Sequence, residues 1–394
     1  MRRQIHLHWP ATIMVCIVIL RLECLAADNP SLSVPMFGIR PGAAQLSLTN
    51  SSDTNFQYVV QTSSNLQDWV SVTTNFATGP DSPVTVPAPP TACFYRLMEI
   101  PHVPVPVFRY AILTSGNFNG EGNNFTVDSF DSSNPLYSTL GQYNAVLRKA
   151  GGDVATDSLF GGDIIVGNGI IYGHLYTGIG TTEDSVQIGP EGVIGSISWN
   201  VSDVGIQPGY WSESVYINFP EVTGPAGGSN SLPAAVGGVV TLNGGTYMVA
   251  ATDPGLSASL NVTAPTTLWV QGSYVPASIT TAGTNKAPLT LTLYVGRATG
   301  SGDHLSLGSN GAINQPGYAA NLLVYGLPSL TSLNVDFNGG FIGAIYAPEA
   351  DAMFGNSGSS SADISGAIVA KSVTLNSHSN FHFDENLKIN GPFF

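Results

Sequence analysis

Alternation of apolar and polar positions is strongest near the end of the chain. In Phe341-Ile-Gly-Ala-Ile-Tyr-Ala-Pro, residues Phe341, Gly343, Ile345 and Ala347 fall on one face of a strand, because alternate side chains share a face. Ile364-Ser-Gly-Ala-Ile-Val-Ala-Lys repeats that face, with Gly366 aligned to Gly343 at an offset of 23 residues. The same pattern occurs in Ile171-Tyr-Gly-His-Leu-Tyr and Val193-Ile-Gly-Ser-Ile-Ser, where Gly173 and Gly195 are offset by 22. Thr246-Tyr-Met-Val-Ala, Leu268-Trp-Val-Gln-Gly, Leu291-Thr-Leu-Tyr-Val-Gly and Leu322-Leu-Val-Tyr-Gly continue the series. Tyr247 to Trp269 and Trp269 to Leu291 each span 22 residues, and Leu291 to Leu322 is longer by a loop holding Gly302-Asp303-His304. A strand repeat just over twenty residues long, punctuated by Gly and Asn, predicts a stacked solenoid. The expected fold is all-β, with a right-handed parallel β-helix over residues 107–394. Eight to ten rungs at about 4.8 Å each would make a rod of roughly 40 to 50 Å.

The pattern changes toward the N-terminus. Residues 28–100 hold short strand-like runs, Phe56-Gln-Tyr-Val-Val-Gln-Thr-Ser, Trp69-Val-Ser-Val-Thr-Thr and Cys93-Phe-Tyr-Arg-Leu, between turn residues. A small β-sandwich is the economical reading. Residues 101–106 carry three prolines and predict a stiff linker. Residues 107 to about 153 then read as an N-terminal cap, with Asp128, Asp131 and Asp153 as turn acids beside Ser and Gly. Phe381 and Phe383 are expected to plug the last rung as a C-terminal cap, with His382 and Asp384 pairing there.

Two resemblances rest on these residues. Tyr58 to Ser63, Asn65-Leu-Gln-Asp-Trp69 and Phe94-Tyr-Arg-Leu97 resemble a module of secreted verrucomicrobial and planctomycetal proteins. That resemblance implies an exported accessory domain with Trp69 and Tyr95 as core anchors. Val127-Asp-Ser-Phe-Asp-Ser-Ser, Gly343-Ala-Ile-Tyr-Ala-Pro, Gly366-Ala-Ile-Val-Ala-Lys-Ser-Val and Phe381-His-Phe-Asp-Glu resemble an uncharacterised β-helical domain of bacterial exported and pilus-assembly-associated proteins. It covers most of residues 106–390 and implies a fold and export, with no activity attached.

Charge and export narrow the partners. Arg2 and Arg3, an apolar run from Ala11 to Leu20, and Ala26-Ala27 form a secretory signal layout over residues 1–27. The run is short for a membrane span, and a retained anchor is the alternative. Export leads to a periplasmic, cell-surface or extracellular location. The net charge is −14 over 394 residues, and no basic cluster occurs. Nucleic acid and an anionic membrane surface are therefore poor partners; polysaccharide or cell-surface components are the expected ones. Cleavage at residue 27 removes Cys16 and Cys24 and leaves only Cys93, which forbids an intramolecular disulfide.

The most chemical-looking cluster is His378, His382, Asp384 and Glu385. Imidazoles and carboxylates can ligate a divalent ion, but on a strand Glu385 opposes the other three and nothing downstream completes a set. The expectation is no metal, no cofactor and no catalytic residue. Glu183-Asp184 and Glu349 with Asp351 are carboxylates that a polysaccharide hydrolase would need in facing pairs. Tyr172, Tyr176 and Tyr346 alternate away from the Gly-Ile face and offer stacked rings to sugars, or ordinary cross-rung packing. The leading functional expectation is a non-enzymatic structural or adhesion component. Polysaccharide binding or degradation is the alternative.

Overall fold

The computed structural model describes residues 37–39, 45–50, 56–76, 82–87, 93–101, 106–120, 125–158, 163–215, 219–281, 290–336, 340–355, 362–376 and 379–392. The signal layout of residues 1–27, and His378, lie outside these. The chain divides into two compact units, Met1–Pro104 and Val105–Phe394.

The first unit is antiparallel. Phe56–Ser63 pairs with Cys93–Pro101 on one side and Val70–Phe76 on the other, and Phe37–Ile39 joins the outer edge of Cys93–Pro101. Gln45–Asn50 pairs separately with Ser82–Pro87. Trp69 is only partly buried, and its indole N–H donates to the Leu66 carbonyl at 3.3 Å.

The second unit is a large parallel sheet whose pairings sort the strands into three columns. In the first, the spatial order runs 239–242, 259–262, 279–281, 313, 341–343, 362–366, 379–384, 126–130, 170–172, 193–195 and 205–206. In the second it runs 245–250, 266–271, 291–295, 322–326, 343–347, 366–370, 112–114, 154–156, 175–178 and 211–215. The third runs 303–307, 330–335, 351–354, 372–375, 118–119, 164–167 and 187–188. The ten segments of the second column, among the described residues, extend about 43 Å at the usual interstrand spacing.

This order corrects the expected path. The chain enters the stack in its middle, at 112–130, and advances to one end at 205–215. Residues 219–238 then lead to the strands of the opposite end. From 239 the chain returns strand by strand until 362–384 docks against 112–130. The Val107 N–H donates to the Pro392 carbonyl at 2.9 Å, so the two ends of the unit meet. The expected N-terminal and C-terminal caps are thus two sides of one internal seam. Phe381 and Phe383 belong to the same buried core as Phe118, Phe125 and Ile112, and Phe381 packs edge-on against Phe354. Burying side chains of this size contributes about 1.5 to 3 kcal/mol each.

Local register follows the sequence in two places. Gly343 pairs with Gly366, and Leu291 with Leu322. A Cβ on Gly366 would lie 1.7 Å from the Gly343 carbonyl oxygen, and its φ of +144° disfavours any side chain. Elsewhere the expected register slips. Tyr172, not Gly173, pairs with Gly195; Tyr247 pairs with Leu268; and Trp269 pairs with Tyr294.

Candidate functional site

The seam collects the polar residues with the most chemical character. His382 and Asp128 are direct cross-strand partners, as are His382 and Ser365 on the other side. His382 Nδ1 lies 2.6 Å from Asp128 Oδ1, and the Tyr143 hydroxyl donates to Asp128 Oδ2 at 2.7 Å. The Tyr143 ring stacks on the imidazole with centroids 3.4 Å apart. Asp363 approaches from the next strand, with Oδ1 3.6 Å from His382 Nε2, beyond hydrogen-bond reach. Asp128 is fully buried and the imidazole is 4% exposed.

Burial alone would lower the basicity of this imidazole. The neighbouring Asp128 and Asp363 carboxylates outweigh it and raise the pKa above 6.5. Asp363 is held below the usual carboxylate range, chiefly by its interaction with His382. The Tyr143 hydroxyl is pushed above its ordinary value by burial and by the Asp128 charge.

Asp384 does not pair with His382, contrary to the expectation. Its carboxylate accepts from the Ser132 N–H at 3.0 Å, the Ser132 hydroxyl at 2.7 Å and the Asn386 N–H at 3.2 Å. Burial raises its pKa to about 6 despite those donors. Glu385 faces away from His382 and is engaged by the Lys149 ammonium and by the Ser129 hydroxyl, the latter at 2.7 Å. Gly152 packs so tightly against the strand carrying Asp128 that an added Cβ would lie 2.7 Å from the Asp128 Cα. Among the described residues no group of three or more His, Cys, Asp or Glu side chains converges as a metal-ligand set.

Sequence reasoning placed His382, Asp384 and Glu385 together but missed their partners, Asp128, Ser132, Tyr143 and Lys149. Asp131 is the turn acid it was expected to be, accepting from the Ser133 N–H and hydroxyl. Asp128 instead sits inside the strand Thr126–Phe130. Its place between Val127 and a second aromatic-containing run was the available signal.

The three tyrosines separate. Tyr346 is buried, donates its hydroxyl to the Pro220 carbonyl at 2.7 Å, and continues a ring ladder with Tyr325 and Tyr294. Tyr172 is also buried; its hydroxyl accepts from Asn200 at 2.7 Å, and the Arg148 guanidinium lies 4.7 Å over its ring. Tyr176 is partly exposed beside Tyr110 and His174, and His174 stacks on Tyr210 at 4.4 Å. The carboxylates named for hydrolysis are dispersed: Glu183 and Asp184 lie in an exposed 3-10 turn, Glu349 is exposed, and Asp351 is held by Ser372 at 2.7 Å and Lys371 at 3.4 Å.

One comparison bears on the half of the unit that ends at this seam. Residues 222–390 match a domain of unknown function, DUF7305. The DUF7305 match starts in the connection between the two ends of the stack and takes in every strand from Val239–Ala250 to Ser379–Asp384. Residues 112–130, which cover its last strands, fall outside the match. No curated protein and no solved structure matches the chain. Among the described residues no helix is long and apolar enough to cross a membrane.

Proposed function

We propose that this chain is an exported, non-enzymatic structural or adhesion component of a bacterial cell envelope or extracellular matrix. Its second unit is then a right-handed parallel β-helix. Support for the helix comes from the order in which strands visit the columns. From 341 the chain passes first, second and third column, then repeats with 362–366, 366–370 and 372–375 before reaching the first column at 379–384. The second and third positions of that turn are filled by 112–114 and 118–119, and 126–130 begins the next. A helical progression interrupted by one chain break accounts for this order.

The observation that carries the functional reading is the use to which the reactive groups are put. His382, Asp128 and Tyr143 bind one another, Asp384 binds Ser132, and Glu385 binds Ser129 and Lys149, with Asp128, His382 and Asp384 buried. Buried polar networks of this kind hold strands in register. Deleting the gene and measuring surface adhesion and envelope assembly tests the role; normal adhesion and assembly would overturn it.

Polysaccharide binding is the second reading, favoured by the partly exposed run Tyr110, His174, Tyr176 and Tyr210 beside Arg109 and Asp153. Co-sedimentation with neutral and acidic glycans tests it, with loss of binding expected in Tyr176→Ala. Polysaccharide degradation rests on scaffold analogy alone.

A further inference from the structure

One continuous row of paired residues runs along the second column. Trp269, Tyr294, Tyr325 and Tyr346 are successive partners in it, and the row continues through Val369, Leu113 and Ala155 to Tyr176 and Ser212. At the first end the rings are occupied by the chain itself. Tyr325 lies between Tyr294 and Tyr346, the Tyr346 hydroxyl is held by Pro220, and Gly224 packs on the Trp269 ring. At the other end Tyr176 has small partners on both sides, Ala155 and Ser212, so no ring of its own row covers it.

The Val154 N–H donates to the His174 carbonyl and the Leu175 N–H to the Tyr210 carbonyl, which sets Asp153, His174 and Tyr210 on successive segments beside Tyr176. His174 stacks on Tyr210 at 4.4 Å, and Tyr176 lies 5.7 Å from His174 and 5.5 Å from Tyr110. All four rings are partly exposed, and the hydroxyls of Tyr110, Tyr176 and Tyr210 make no hydrogen bond among the described residues. Arg109 is exposed, with its guanidinium 5.3 Å from the Tyr110 ring centre. It has no ion pair among the described residues, whereas Lys149, Arg297 and Lys371 each have a carboxylate partner. The Asp153 carboxylate accepts from the His174 N–H at 2.8 Å and lies 3.2 Å from Nδ1, and a neutral imidazole that donates there keeps Nε2 as an acceptor.

On the polysaccharide reading of this face, we propose that its ligand is a neutral polysaccharide of equatorially substituted hexoses. Such sugars present flat C–H faces, which stack on tyrosine rings, and a rim of hydroxyls, which call for both donors and acceptors. The face supplies both, since the phenols do either, Arg109 donates and His174 Nε2 accepts. Its two charges, Arg109 and Asp153, are opposite in sign, and the chain carries a net charge of −14. A polyanion therefore finds no net attraction at the face and is repelled at longer range, while a neutral chain meets no such repulsion.

Titration calorimetry of the full chain with hydroxyethylcellulose and carboxymethylcellulose compares one sugar backbone without and with charge, and alginate is the uronic-acid probe. Hydroxyethylcellulose should bind several-fold more tightly than either acidic polymer, with the gap narrowing as salt rises. Tyr176→Ala should weaken that binding about tenfold, and Arg109→Gln about threefold without reversing the preference. Tyr176→Phe, which keeps the ring, should retain most of it. Equal or tighter binding of carboxymethylcellulose or alginate would overturn the neutral class and leave the polysaccharide reading standing. Binding to none of the three would end both. Hydroxyethylcellulose binding unchanged in Tyr176→Ala and in Arg109→Gln would place the ligand elsewhere and overturn the assignment of this face.

Discussion

Replacing Asp128 by Ala removes the one carboxylate that both His382 and Tyr143 contact at hydrogen-bond distance. Asp128 is fully buried and His382 nearly so, and solvent screening does little to soften the loss. Breaking a buried pair by deleting one partner costs about 3 to 5 kcal/mol, since the other partner is left desolvated and unpaired. For the unit Val105–Phe394 that corresponds to a fall in melting temperature of roughly 5 to 8 °C. Denaturant titration of the protein, followed by tryptophan fluorescence, gives the free energy. A cycle with His382→Gln then isolates the pair, with a coupling of about 1 to 3 kcal/mol expected. Hydrogen exchange should show the loss concentrated in 126–130 and 380–384. An Asp128→Ala protein within about 0.5 kcal/mol of the parent, the usual range for a surface change, would refute the claim that this pair fastens the seam.

The same network sets a pH dependence. Because the folded-state pKa of His382 is raised, its contribution is fully present below its ordinary value of 6.5 and fades as pH rises through the folded value. Asp384, raised by burial to about 6 from 3.8, takes up protons on folding between those values and also destabilises as pH rises. Stability should thus be greater at pH 5.5 than at pH 8, with His382→Gln flattening the upper part of the profile; thermal melts across that range check both. Asp363 acts oppositely, its contribution being lost as pH falls below the ordinary carboxylate range, so Asp363→Asn should blunt acid unfolding and also weaken the His382 part of the profile. Gly366→Ala places a methyl group against the Gly343 carbonyl at a strained φ and should cost more than about 4 kcal/mol, read as loss of soluble folded protein. Tyr346→Phe leaves the Pro220 carbonyl without its donor; a loss of about 1 kcal/mol is expected, with faster exchange confined to the neighbouring part of the connection.

What the sequence reveals depends on how near the pairing strands are along the chain. Gly343 and Gly366 lie on consecutive, directly paired strands, and their shared Gly-Ala-Ile run shows both the strand and its register. The glycines at 173 and 195 mislead because each is small for a different reason. A Cβ on Gly173 would strike the backbone at Gly152, whereas on Gly195 it would strike the Gln207 and Trp199 side chains. Aligning them shifts the strands by one residue, although Ile171 pairs with Ile194 at the same 23-residue spacing seen at the other repeat. The seam is illegible for a plainer reason. His382 and Asp128 are 254 residues apart, and alternation identifies strands without saying which strand lies beside which. The segment 107–153 was therefore expected to form a cap, since a repeat read in chain order gives its first strands an open edge. The tyrosines show a related limit. Alternation correctly turns Tyr346 away from the Gly-Ile face, but only the folded connection reveals that Pro220 covers it.

The most direct test of the seam is an oxidative cross-link between Thr126→Cys and Asn380→Cys within one chain, at low protein concentration and with Cys16, Cys24 and Cys93 replaced. The two positions are adjacent partners in the parallel ladder. A quantitative internal disulfide, giving a faster-migrating monomer that reverts on reduction, is the predicted result. A stack laid down in simple chain order would put these strands near opposite ends, roughly 40 Å apart at the usual strand spacing, and a folded protein that fails to cross-link would contradict the account.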